Sequence, residues 1–162
     1  MKIPERYLPR RLTQKDKKKQ LQMLKKSRKL YKAHHYYTRK KVASFKSKPS
    51  KHVSAARKLY RLNQITPNQA LVQKTGCSLA ALNKIVQKGE GAYFSSGSRP
   101  NQTAQSWGLA RLASSITGGK AAAVDFGIIE NGCKHNKPAY RLAKKAKATY
   151  KSGHSPTKRV NV

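Results

Sequence analysis

Acidic residues are scarce in this sequence: 37 lysines and arginines stand against five aspartates and glutamates, giving a formal net charge of +32 over 162 residues. Phosphoryl transfer with bound metal ions usually needs clustered carboxylates. Here the nearest two, Asp125 and Glu130, are five positions apart and do not share a helical face. We therefore expect a protein that is not an enzyme and that needs no cofactor.

Cysteine is also scarce. Cys77 and Cys133 are too few for a disulfide framework, and with His135 they lack the paired Cys-x2-Cys spacing of a zinc site. We expect a buried thiol at Cys77, a thiol in a turn at Cys133, and no bound metal. The predicted setting is a reducing intracellular one, or a particle assembled there.

Long apolar runs are missing as well. No stretch approaches the roughly 18 apolar residues of a membrane-spanning helix, and Asp125 interrupts the longest candidate, residues 121–129. The first residues lack the apolar run of a secretory leader. We expect a chain that is neither transmembrane nor carries such a leader.

The charge that is present is unevenly distributed. Residues 1–61 carry +20, residues 62–133 carry +3 and residues 134–162 carry +9. This pattern predicts a mainly α fold, in which a small helical core of αα-hairpins with a Gly/Ser-rich loop (62–133) lies between basic arms. The first arm (1–61) contains extended and helical segments, and the second (134–162) is a helix and tail. Because the core is small and the charge opposes compaction, we expect neighbouring molecules to order the arms.

Capping residues predict where the helices begin and end. Proline in the first turn is a further start signal, seen after Thr66 and at Pro138. The helical spacing of apolar residues predicts a single helix over residues 120–130. The predicted N-caps are Thr13 (with Asp16), Ser50, Thr66, Ser78, and either Asn101 or Thr103. The predicted helix ends are Gly76 and Gly89.

Residues 89–99 form the predicted Gly/Ser-rich loop. Its backbone amides could bind an anion beside Arg99. Alternatively, the segment is a structural loop packed under Trp107, and we favour this second interpretation. The predicted core consists of Leu82, Ile85, Trp107, Leu112, Phe126 and Ile129.

The spacing of Val72, Gly76, Leu82 and Ile85 resembles that of a helix-turn-helix. If the resemblance holds, the reading helix begins at Ser78, and its outward residues include Leu79, Ala80, Asn83 and Lys84. The alternative is an αα-hairpin that serves only as core. We favour the alternative, because Leu79 and Ala80 are poor base readers.

The basic residues predict contacts with a polyanion or an acidic partner, and the aromatics of segment 36–41 could add stacking. The other interpretation is a solvated basic face. The predicted contacts are Arg10, Arg11, Lys17, Lys18, Lys19, Lys25, Lys26, Arg28, Arg39, Lys40, Lys41, Arg99, Arg141, Lys144, Lys145 and Lys147.

Four segments resemble a known family: residues 7–12 (YLPRRL), 15–20 (KDKKKQ), 89–103 (GEGAYFSSGSRPNQT) and 114–120 (SSITGGK). The family comprises small basic proteins of large double-stranded DNA viruses of algae and protists, of the chlorovirus and phycodnavirus kind. The resemblance implies a viral origin and a place in the virion. It assigns no catalytic activity and no functional residue.

Two functional hypotheses follow. In the first, the chain is a minor capsid protein on the inner side of an icosahedral shell, made in the infected host cell. Its core and arms would bind other capsid proteins within a large assembly, and the arms would also meet viral DNA or the internal membrane surface. In the alternative, it is a DNA-binding, genome-condensing virion protein that acts independently of sequence. A ribosomal-type RNA-binding protein fits the composition but not the viral resemblance.

Overall fold

The computed structural model describes residues 1–153 and 157–162, of which 59% are helical and 5% lie in strands. This confirms the mainly α prediction. The helices are α1 (Gln14–Lys32), α2 (Lys51–Tyr60), α3 (Gln69–Thr75), α4 (Leu79–Ser95), α5 (Ala104–Ile116), α6 (Lys120–Val124), α7 (Phe126–Gly132) and α8 (Pro138–Tyr150). The strands are β1 (Lys2–Pro4) and β2 (Arg159–Asn161), and a 3-10 helix spans Glu5–Tyr7.

The described chain divides into two compact units. Unit 1 contains residues 1–48, 90–107 and 157–162, and unit 2 contains residues 49–89 and 108–153. These boundaries differ from the predicted segments 1–61, 62–133 and 134–162. The first 48 residues pack inside unit 1 instead of extending as an arm. Residues 154–156 of the predicted C-terminal tail lie outside the described residues.

The predicted helix starts are largely confirmed. The hydroxyl oxygens of Thr13, Ser50 and Ser78 accept hydrogen bonds from the backbone N–H groups three residues later, at 3.2, 3.4 and 3.1 Å. Pro138 occupies the first turn of α8. The prediction for Thr66 is wrong, because Asn68 caps α3: its Oδ1 accepts a 2.9 Å hydrogen bond from the Leu71 N–H.

Of the two helix ends predicted at glycine, the one at Gly76 is confirmed and the one at Gly89 is wrong. Gly76 ends α3 in the left-handed conformation, with φ of +78°, as predicted. Gly89 does not end α4, which continues to Ser95, so most of the predicted loop 89–99 is helical. A Cβ at Gly89 would lie 2.6 Å from the Gly108 Cα. Glycine therefore serves a close approach between α4 and α5 rather than a turn.

The predicted single helix over residues 120–130 is also wrong, because it is split at Asp125. The Asp125 backbone N–H caps α6 on the Ala121 carbonyl, and α7 begins at the next residue. The Asp125 carboxylate is buried, and Arg111 and Ser115 of α5 donate hydrogen bonds to it. This long-range anchor breaks a run that reads as continuous in sequence.

Unit 2 has the larger apolar core. Of the predicted core residues, Leu82, Ile85, Leu112 and Ile129 are fully buried in it. Phe126 packs at the edge of this core and is partly buried. The sixth, Trp107, lies in unit 1.

Unit 1 has two smaller apolar clusters in place of one core. The first joins Leu8 and Leu12 to the middle of α1 and to segment 42–45. The second joins Ile3, Tyr7 and Leu24, with Trp107 packed against them. Strands β1 and β2 pair antiparallel, with Ile3 opposite Val160, so the two ends of the described chain form one small sheet.

A disulfide bond joins Cys77 to Cys133, and the prediction of two thiols is wrong. Both cysteines are buried in the core of unit 2. The turns that carry them pair as an antiparallel bridge, in which Ser78 N–H donates to the Gly132 carbonyl and Lys134 N–H to that of Gly76. The bridge spans 56 positions, a pairing that spacing alone does not reveal. Closing such a loop stabilises a fold by about 4 kcal/mol in the chain-entropy account.

Candidate polyanion-binding cleft

An open cleft of about 520 Å³ in unit 1 gathers five cationic side chains, and we call it the basic cleft. Pro9, Phe45 and Thr157 complete its wall. Glu5 is the single carboxylate among the described lining residues, so the charge of the lining is strongly positive. The cationic residues are Arg6, Arg10, Arg11, Arg99 and Lys158.

Strand pairing brings the C-terminal segment to the cleft. Beyond the β1–β2 pairs, the Glu5 N–H donates a 2.9 Å hydrogen bond to the Lys158 carbonyl. The Glu5 carboxylate is 3.4 Å from the Lys158 ammonium. Lys158 is therefore held at the N-terminal segment although more than 150 residues separate the two in sequence.

A short turn presents Arg10 and Arg11. Leu8 and Leu12, on either side of it, are buried in the first apolar cluster. The Leu12 N–H donates a 3.2 Å hydrogen bond to the Pro9 carbonyl and closes the turn. The two arginines lie between apolar anchors, which fix the turn while both residues remain exposed.

The single carboxylate neutralises little of the cleft. Glu5 lies 2.7 Å from Arg10, in a pair whose arginine is 73% exposed, and such pairs are weak in water. Arg11 stacks over the Phe45 ring at 4.6 Å, a contact that orders the guanidinium without cancelling its charge. Within the described residues, Arg11 and Arg99 have no carboxylate partner. Their charges are available to a ligand.

Segment 96–101 supports the wall that carries Arg99 and Phe45. Gly97 has φ of +136°, and a Cβ there would meet Leu24 at 2.8 Å. The Asn101 Oδ1 accepts a 2.8 Å hydrogen bond from the Val42 N–H, and its Nδ2 donates to the Phe45 carbonyl at 2.7 Å. Asn101 was one of two N-cap candidates from sequence, but its side chain instead holds segment 42–45 through these hydrogen bonds. The other candidate, Thr103, caps α5.

Arg39, predicted to contact a partner, is buried instead. Its guanidinium donates to the hydroxyl oxygens of Ser27 and Ser98 and to the Tyr93 carbonyl at 2.8–2.9 Å, and lies 3.8 Å from the Tyr93 ring centre. Burial lowers the pKa of Arg39, and the neighbouring Tyr93 partly opposes this shift. Arg39 holds unit 1 together and is not a surface contact.

The other predicted contacts of unit 1 lie outside the basic cleft. Three of them form contacts within the fold. Lys19 Nζ donates a hydrogen bond to the Lys41 carbonyl, Lys26 lies over the Tyr37 ring, and Arg28 donates to the Ser96 carbonyl. The following are exposed or partly exposed: Lys17, Lys18, Lys25, Lys40 and Lys41.

The predicted contacts on α8 form an exposed basic face of unit 2. Its buried face consists of the small residues Ala139, Ala143 and Ala146. The exposed cations are Arg141, Lys144, Lys145 and Lys147.

The cleft residues that the sequence prediction missed include Arg6, Phe45 and Lys158. Arg6 stands close to Arg10 and Arg11 in the chain, so the local density of arginine could have included it. No sequence signal places Phe45 or Lys158 in the cleft. The position of Phe45 depends on its hydrogen bond from Asn101, and that of Lys158 depends on the pairing of β1 with β2.

In the part of the chain that the structure describes, no group of three or more His, Cys, Asp or Glu side chains is arranged to hold a metal ion. No described helix is both long enough and apolar enough to cross a membrane. The expectation that the chain is not an enzyme stays a prediction.

The fold and the cleft define a strongly basic, mainly helical protein with an open arginine-rich surface. Residues 4–131 match a family of unknown function (DUF5824), and the chain belongs to this family. No curated protein and no solved structure matches the chain. The resemblance to viral proteins remains a prediction.

Proposed function

We propose that this chain binds the phosphate backbone of nucleic acid through the basic cleft and catalyses no reaction. The observation that carries the proposal is the gathering of four arginines and a lysine around one carboxylate in an open cleft. Arginine matches phosphate with two parallel N–H donors and keeps its charge at any physiological pH.

The basic cleft itself carries no sequence readout. Phosphate contacts fix position and orientation, whereas base edges carry the sequence information. The net charge of +32 adds a long-range attraction that speeds association and weakens with salt. Binding through this site is therefore expected to tolerate any sequence.

The test is the salt dependence of binding to a duplex of random sequence. The cleft variant replaces Arg6, Arg11 and Arg99 by Gln. The control variant replaces Arg141, Lys144 and Lys145 by Gln and removes the same charge from the α8 face. We expect the cleft variant to reduce the slope of log K against log salt by about 2 to 3, since each lost phosphate contact removes about 0.9. The control should change it by less than about one.

Two outcomes would count against the proposal. Equal losses in the two variants would mean that charge acts diffusely and that the basic cleft is not the site. Absence of wild-type binding at low salt would reject nucleic acid as the ligand. Circular dichroism of each variant excludes unfolding as the cause of a loss.

A minor capsid role on the inner side of a virus shell is the second candidate. The disulfide of unit 2 favours it, because disulfides persist in oxidising settings, which include virions, and are rare in the cytosol. Residues 1–48 pack within unit 1, so the order of this segment does not by itself support a capsid role. Retention in emptied, nuclease-treated particles after a high-salt wash would support this role, and loss with the genome would contradict it.

A further inference from the structure

Helix α3 and residues 79–89 of α4, all in unit 2, have the internal pattern of a helix-turn-helix. Three residues, 76–78, join the two helices, and Gly76 adopts the left-handed conformation that opens the turn. The buried positions recur at the spacing typical of a helix-turn-helix. They are Leu71, Thr75, Cys77, Leu82 and Ile85.

Specific bonds hold this turn rigid. The Thr75 hydroxyl donates to the Leu71 carbonyl and accepts from the Cys77 N–H, at 2.7 and 3.1 Å. Ser78 caps α4, and the Cys77–Cys133 disulfide ties the turn to the end of α7. A helix that reads a ligand must be positioned within a fraction of an ångström, and these bonds position α4.

Over residues 79–88, the face of α4 opposite Leu82 and Ile85 is exposed and carries no acidic residue; the first acidic residue on this side of the helix is Glu90, seven positions after Asn83. Leu82 and Ile85 lie on the buried side, whereas positions 79, 80, 83, 84, 87 and 88 form a continuous exposed arc. Within residues 1–153 and 157–162, the side-chain amides of Asn83 and Gln87 have no hydrogen-bond partner. They are one turn apart, so both amides lie on the same stripe of the helix.

We propose that this face of α4 reads A·T base pairs in the major groove of duplex DNA. Asn and Gln form paired hydrogen bonds with the N6 and N7 atoms of adenine, and small apolar side chains contact the thymine methyl group. Asn83 and Gln87 supply the first contact, and Ala80 the second. Lys84, on the edge of the same arc, supplies a phosphate contact.

This inference rests on the proposed function in that it assumes a nucleic-acid ligand, but it uses a different set of residues from the basic cleft. It differs from the interpretation favoured on sequence alone, a hairpin that serves only as core. That interpretation considered Leu79 and Ala80, whereas the exposed arc extends to Gln87.

The experiment is selection of duplexes from a random library by the full chain. We expect wild type to enrich a short motif that contains A·T pairs. Asn83→Ala with Gln87→Ala should reduce the preference for that motif over random duplex at least tenfold, with less than about a twofold change in affinity for random duplex. The control, Asn63→Ala with Gln64→Ala, removes the same amides from exposed positions of unit 2 and should retain the motif.

A second variant guards against an indirect effect. Asn83→Arg should change the preferred base at one position from adenine to guanine, because arginine pairs with guanine O6 and N7. Random-duplex binding by wild type without any enriched motif would overturn this inference and leave the proposed function standing. A motif that survives the double alanine change would also overturn it. Absence of all DNA binding would overturn both.

Discussion

Arg39 in unit 1 is buried and Arg111 in unit 2 is partly buried, with its side chain 22% exposed, and their partners differ. Arg111 forms a two-point ion pair with the buried Asp125 carboxylate, at 2.7 and 2.9 Å. Arg39 has neutral partners: hydroxyl and carbonyl oxygens and the ring of Tyr93. Unit 2 compensates a buried charge with the opposite charge, whereas unit 1 does so with oriented dipoles.

The difference follows from composition. With five acidic residues in the chain, a carboxylate is rarely close to a buried cation. Three of the five are already engaged in the fold: Glu5 in the basic cleft, Asp16 at the start of α1 and Asp125 in unit 2. Among the described residues, Arg10, Lys88, Arg111 and Lys158 have a side-chain carboxylate within 4.0 Å, and the other exposed cations are not neutralised by an ion pair.

Arg111→Ala should have the largest effect on stability. It leaves the Asp125 carboxylate buried with one weaker cation, Lys88 at 3.9 Å. Breaking a buried pair by removing one partner costs about 3–5 kcal/mol, which urea unfolding followed by circular dichroism measures. Arg141→Ala on the exposed face of α8 is the matched control and should cost less than about 0.5 kcal/mol. Equal effects would show that the ion pair contributes little to unit 2.

Arg39→Lys should have an intermediate effect. Lysine keeps the charge but lacks the planar fork that reaches Ser27 and Ser98 together, so we expect a loss of about 1–3 kcal/mol. Fluorescence of the single tryptophan reports this loss, because Trp107 packs in unit 1. Arg159→Lys on exposed β2 is the control. If lysine at position 39 left the transition unchanged, the neutral partners of Arg39 would not be what stabilises unit 1.

Asp16→Asn should have the smallest effect, and that effect should depend on pH. Hydrogen bonds from the Ser44 hydroxyl and N–H lower the pKa of Asp16 below its ordinary value of 3.8. The carboxylate therefore stabilises the fold above about pH 4, and this stabilisation is lost as the pH falls through the lower folded-state pKa. Unfolding curves of wild type and variant should differ at pH 7 and converge in acid. A constant difference at all pH values would contradict the assignment.

Local signals were enough to predict much of unit 2. Ser78, Gly76 and Pro138 act within one helical turn, so their capping roles are visible in sequence. The same holds for Thr13 in unit 1. The prediction that Gly89 ends a helix was wrong, because the absence of a side chain there permits close contact with Gly108 and does not form a turn.

The basic cleft could be predicted only in part. Arg10, Arg11 and Arg99 were among the sixteen predicted contacts. The sequence did not indicate that these three would lie together in one cleft. Their meeting depends on contacts between distant positions, such as Glu5 with Lys158 and Asn101 with Phe45. Such contacts have no local pattern, and neither does the bond between Cys77 and Cys133.

The most direct test compares the salt slopes of the two triple-glutamine variants on one random duplex. If the basic cleft binds phosphate, replacing its three arginines should flatten the slope by about 2 to 3, while the α8 replacements leave it nearly unchanged. Two variant slopes that coincide, or a wild-type chain that does not bind the duplex at low salt, would contradict the account.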